Sequence, residues 1–110
     1  MRPWHRANAR TDYREIADAA GNTLADCPSY TGGPSPQTAC ANAELIATGH
    51  DCGSATPGPW HTHPGHHPIA WLVRGGPTNE IVAMVRNHPD AAEIAASIVA
   101  ARTPREPART

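Results

Sequence analysis

The sequence predicts an α+β protein in which two ββα units build one antiparallel sheet with two helices packed on one face. Three observations predict it. The tripeptide Pro-Trp-His occurs twice, at Pro3-Trp4-His5 and Pro59-Trp60-His61. After each copy comes an apolar stretch centred on a turn. An Ala-rich segment with helical spacing closes each stretch. A unit this short cannot bury its apolar face alone, so two of them must share a core. The units divide as 1–50 and 51–102, and 103–110 form a Pro/Arg tail expected to be disordered.

Residues 1–12 are polar, carry Arg2, Arg6 and Arg10, and read as a loose lead-in. The first hairpin spans Tyr13 to Cys27, with Ala19-Ala-Gly-Asn22 as its turn. Gly21 and Asn22 tolerate the positive φ that a tight turn needs. Ile16 and Leu24 are the expected inward pair. Residues 28–36 form a loop that ends in Ser35-Pro36, a helix start with Ser as N-cap and Pro in the first turn. The helix should run from Pro36 to Thr48 and stop at Gly49. Ala39, Ala43 and Ile46 make its apolar stripe, with Leu45 to one side.

Residues 49–68 read as a second loop, rich in His, Gly and Pro. Ile69–Arg74 and Glu80–Arg86 then flank Gly75-Gly-Pro-Thr-Asn79. This is the strongest hairpin signal in the chain. Asn87-His-Pro-Asp90 opens the second helix, with Pro89 expected in its first turn. Ala91, Ile94, Ala95 and Ile98 form its buried face.

Composition narrows the function classes. The chain has 110 residues and a formal net charge of −1, which argues against a general nucleic-acid binder. Its apolar fraction of 39% is largely alanine, with no Phe, so each core side chain buries little area. Self-association, most simply as a dimer, would compensate through exposed strand edges or the Ala-rich helix faces. All nine basic residues are Arg, a bias that fits a GC-rich coding genome. No run is long enough to span a membrane, and Met1–Arg10 lacks the apolar core of a signal peptide. A cytoplasmic location with reduced Cys27, Cys40 and Cys52 is expected.

Two motifs carry a resemblance. Thr56-Pro-Gly-Pro-Trp60 and Ala41-Asn-Ala-Glu-Leu-Ile-Ala47 resemble the opening and the closing helix of small phage and prophage proteins, especially of actinobacteria. In those proteins a hairpin lies between the two motifs, and here Ala19–Asn22 sits where its turn belongs. The best matches fall in different halves, as a tandem pair of units would give. The first unit keeps only Arg2-Pro3-Trp4 of the opening, and the second helix reads Ala-Glu-Ile-Ala-Ala. The resemblance implies a phage-encoded protein and no particular chemistry.

The densest chemical feature is Trp60-His-Thr-His-Pro-Gly-His-His-Pro68. Neutral imidazole is the commonest metal ligand, and a His-x-His pair held extended can share one ion. The candidate zinc set is His50, Cys52, His61 and His63, with His66 and His67 as substitutes. The bland alternative is a solvated loop that binds metal adventitiously, because the spacing matches no zinc-finger or ribbon pattern. His61-Thr-His63-Pro also resembles the core of JAB-type zinc peptidases, where the two His would be ligands and Glu44 the base. That family's following Ser and Asp are missing here, since residues 64–78 contain neither.

No Gly-x-Ser-x-Gly elbow or Lys-terminated phosphate loop occurs. These gaps favour a non-enzymatic protein that binds another protein. Trp60, Arg102 and Arg105 are the candidate binding residues, although a Trp at such a position is more often core. Arg2, Arg6, Arg10 and Arg14 with Arg102, Arg105 and Arg109 could form a basic edge for nucleic acid. Solvated charge on flexible ends explains them more simply.

Overall fold

The computed structural model of the protein describes residues 4–11 and 13–102. Its elements are β1 (His5–Ala7), a 3-10 turn (Ala9–Thr11), β2 (Glu15–Ala17), β3 (Thr23–Asp26), α1 (Pro36–Thr48), β4 (Trp60–Pro64), β5 (Ile69–Gly75), β6 (Glu80–Arg86) and α2 (Ala91–Arg102). The six strands form one antiparallel sheet in the order β1-β2-β3-β6-β5-β4. Both helices pack on the sheet and touch each other, so they share one face. The expected α+β class is therefore observed. Each half carries one strand more than the ββα order expected, and the sheet has six strands instead of four.

Both additional strands begin within a Trp-His pair, and both are sheet edges. β1 lies in the expected lead-in and β4 in the expected His-rich loop. Neither has an aliphatic run, because an edge strand can expose a face and a flank to water. The halves meet at the centre of the sheet, where Ala25 of β3 pairs with Val85 of β6 and Asp26 with Met84.

Local chemistry explains the turns. Asp18 Oδ1 accepts the N–H groups of Ala20 and Asn22, both at 2.9 Å, and closes the first hairpin. Of the two expected turn residues, Gly21 alone has positive φ, at 91°. Ile16 and Leu24 are both buried, yet Ile16 faces Ala25 because the register shifts after it. In the second hairpin Gly76 (φ 81°) and Asn79 (φ 55°) supply the left-handed positions.

Helix α1 begins and ends as its sequence indicates. The Ser35 side chain accepts from Thr38 N, and Gly49, at φ 80°, donates its N–H to Leu45 O. Its stripe of Ala39, Ala43 and Ile46 is buried, and so are Ala41, Asn42 and Leu45. Helix α2 starts at Ala91, so Pro89 lies two residues before it and not in its first turn. The Asp90 carbonyl accepts from Ile94 N, and the Asp90 N–H is held by His88 Nδ1. Ala91, Ile94, Ala95 and Ile98 face the core as expected. No helix among the described residues is long and apolar enough to cross a membrane.

Candidate functional site

Strand β4 is a sheet edge with no strand on its outer side among the described residues, and Thr56 is what sets it in place. Thr56 is fully buried, as is Asn42 on α1. Asn42 Nδ2 donates to Thr56 Oγ1 at 3.0 Å, and Thr56 N–H donates to Asn42 Oδ1 at 2.7 Å. Thr56 Oγ1 in turn donates to Glu80 at 2.7 Å. The Thr56 carbonyl accepts from Trp60 Nε1 at 3.0 Å and Arg102 Nε at 3.2 Å. Every polar group of this buried residue is satisfied, as burial demands. The Thr-Pro-Gly-Pro-Trp and Ala-Asn-Ala motifs thus interlock, one in each half of the chain.

Trp60 is the anchor that this network orients. It is 2% exposed and lies across Gly75, where an added Cβ would sit 2.3 Å from its Cδ1. Glycine at 75 therefore serves close approach to the indole. Trp60 was a candidate binding residue, but its burial and spent N–H make it mainly structural. Arg102 is likewise committed, to the Thr56 carbonyl and to Asp51. Arg105 lies outside the described residues.

The backbone of β4 faces two ways. Gly65 N–H donates to Ala70 O at 3.0 Å, and this pair continues the β4–β5 register. Amides alternate along an antiparallel ladder, so His61 and His63 point theirs at β5. Trp60 and Thr62 point theirs away from the sheet, and Pro64, the third outward position, has no N–H. Beside this flank runs a groove of about 370 Å³ lined by Trp60, His61, Thr62 and Trp71 from the sheet and Ala92, Ala95, Ala96 and Val99 from α2.

Side chains alternate too. Trp60, Thr62 and Pro64 share the helix side with Val73 and Trp71, whereas His61 and His63 project from the opposite face beside Arg74 and Leu72. The two imidazoles meet edge to face with centroids 4.8 Å apart. His61 Nε2 lies 3.0 Å from Asn79 Oδ1. His63 Nε2 is shielded from solvent and has no hydrogen-bond partner among the described residues.

The expected zinc set of His50, Cys52, His61 and His63 does not converge within one chain. His50 is paired with Glu44 at 2.9 Å, and Cys52 is exposed in the loop before Thr56. His66 and His67 lie exposed in the β4–β5 turn. No group of three His, Cys, Asp or Glu side chains able to hold a metal occurs among the described residues. The peptidase-like arrangement fails on geometry as well. Glu44 sits on α1, also bound to Arg6 at 3.5 Å, with the sheet between it and the two His.

Other ionisable groups serve the fold. Burial pushes the Cys27 thiol pKa up, which makes it a poor nucleophile. The Gly53 N–H and then Arg102 hold the Asp51 carboxyl below its usual value. Burial raises Asp26 despite its Arg86 partner at 2.9 Å. No protein-family model, curated protein or solved structure matches this chain.

Proposed function

We propose that this protein is a non-enzymatic binding module that takes up an extended segment of a protein partner along the free flank of β4. The outward amides of Trp60 and Thr62 beside an apolar groove are the observation that carries this reading. Main-chain hydrogen bonds would supply affinity, and the groove would take an apolar side chain on the helix side. The repeated βββα order supports two related units, and the phage resemblance supports a partner from phage or host. The arginines support a nucleic-acid surface less well, because Arg6 and Arg102 are already paired with Glu44 and Asp51.

Selection of displayed peptides against the full chain tests the reading. Selected peptides should alternate apolar and polar residues. Thr62→Pro removes one outward N–H at a position where an edge strand accepts proline. One lost hydrogen bond of about 1 kcal/mol weakens binding by about five- to tenfold. Ala96→Arg should block the groove. Peptides that bind Thr62→Pro and Ala96→Arg as tightly as wild type would sink the proposal.

A further inference from the structure

Resting on that reading of β4, we infer that the strand it receives is β4 of a second copy, and that the pairing gathers His61 and His63 of both chains into a four-imidazole site for a divalent metal ion of the zinc class.

The strand is nearly its own complement. Trp60-His-Thr-His-Pro64 centres on Thr62. A two-fold antiparallel pairing about Thr62 sets Thr62 against Thr62 of the second copy and His61 against His63 of the second copy. Trp60 then meets Pro64 of the second copy, and any other two-fold register overlaps fewer residues. The outward positions become the hydrogen-bonded ones. Each Thr62 N–H reaches the opposite Thr62 carbonyl, and each Trp60 N–H reaches the opposite Pro64 carbonyl. The N–H that Pro64 lacks falls at the end of the ladder, where its loss matters least. No charged side chain lies on β4, so the two-fold axis brings no like charges together.

The same register assembles the ligands. His61 and His63 of the second copy form a non-hydrogen-bonded pair, the kind whose Cα atoms approach to about 4.5 Å. Within one chain the two rings already touch. Asn79 Oδ1 can only accept, so His61 Nε2 donates to it and Nδ1 is the ring nitrogen left for a metal. A carbonyl holding the second ring nitrogen is the usual support of a metal-bound imidazole. His63 Nε2 has no hydrogen-bond partner among the described residues. Arg74, opposite His61 on β5, is turned to the Asn79 carbonyl at 3.0 Å. Two imidazoles make half a tetrahedral set, so the site is incomplete without the second copy.

The test uses the full chain without an affinity tag, titrated with zinc chloride while its mass is followed by light scattering. Metal content is measured, and cobalt serves as a spectroscopic probe. The expected result is one zinc per two chains, a doubled mass, and the visible bands of tetrahedral cobalt with nitrogen ligands. His61→Ala and His63→Ala should each raise the zinc midpoint for doubling at least a hundredfold. His66→Ala/His67→Ala, in the exposed turn, should leave it unchanged. Circular dichroism confirms that each variant is folded, and all four His lie outside the core.

One zinc per chain without a change in mass overturns the inference. So does a dimer that forms without metal and takes none up, or equal loss in the His66/His67 variant. If zinc leaves the protein monomeric while selected peptides still distinguish wild type from Thr62→Pro, the pairing is wrong and the docking flank stands. If those peptides ignore Thr62→Pro, the docking flank has failed as well.

Discussion

The two halves follow one element order but finish their outer strands differently. The first half ends in a short, tied-down strand. β1 has only three residues and runs straight into a 3-10 turn. Arg6 ties that strand to the Tyr13 carbonyl at 2.9 Å and to Glu44 on α1. The second half leaves a flank of five residues beside a groove. The helices differ in the same sense. α1 is buried on several sides, whereas α2 buries a single stripe and leaves Ala92, Ala96 and Ala100 exposed. Similar elements can therefore end as a short, tied-down edge on one side and as a longer edge beside a groove on the other. What differs is the length of the outer strand and whether a polar side chain ties it to the adjoining helix.

The largest expected effect breaks both halves together. Trp60→Ala should cost about 3–5 kcal/mol, as removing a buried indole does. Ile46→Ala on α1 and Ile98→Ala on α2 should cost about 2–5 kcal/mol each. Because the sheet is continuous, chemical denaturation of either variant should show a single transition with an unchanged m-value. Two separate transitions would mean that the halves fold independently.

The contact between the halves ranks next. Asn42→Ala strands the buried Thr56 N–H, which costs about 1–3 kcal/mol. Thr56→Val removes the hydroxyl instead, and in a double-mutant cycle its cost should fall short of additive with Asn42→Ala. Additive losses would show that the two residues act separately. Smaller again is the cap of α1. Ser35→Ala should lose about 1 kcal/mol in the same assay.

The smallest effect sharpens the contrast between turns by pH. Asp18 and Asp51 have carboxyl pKa values held below the usual 3.8, mainly by the backbone N–H groups of Asn22 and Gly53. Their contribution is full above the unfolded value and is lost as pH falls through the folded one. Asp26 runs the other way. Burial raises its pKa, so its ionisation lowers stability as pH climbs from 3.8 through the folded value. Asp18→Asn should therefore flatten the melting-temperature decline below pH 4, whereas Asp26→Asn should abolish the stability that wild type gains as pH falls from the raised Asp26 value to 3.8. Identical pH profiles for wild type and both variants would contradict these assignments.

The elements legible in the sequence are those with complete local signals. Ser35, Pro36 and Gly49 mark α1, and the apolar runs flanking Gly75–Asn79 mark β5 and β6. The outer strands were illegible because a strand bonded on one side needs no aliphatic alternation. β1 and β4 are set by partners distant in sequence, with Arg6 reaching Glu44 and Trp60 pairing with Gly75. The His-x-His pair was visible as chemistry, yet which side chains converge depended on strand alternation. That alternation turns His61 and His63 away from Glu44.

By itself the sequence determined the α+β class, both helices with their buried faces, and the two central hairpins. Those features follow from caps, turns and periodicity within a few residues. Only the tertiary structure decided that Thr56 and Asn42 lock the halves together, that Trp60 is spent on the core, and that β4 forms a sheet edge beside a groove. Each of these depends on hydrogen bonds and packing between residues far apart in the chain, which no local pattern specifies.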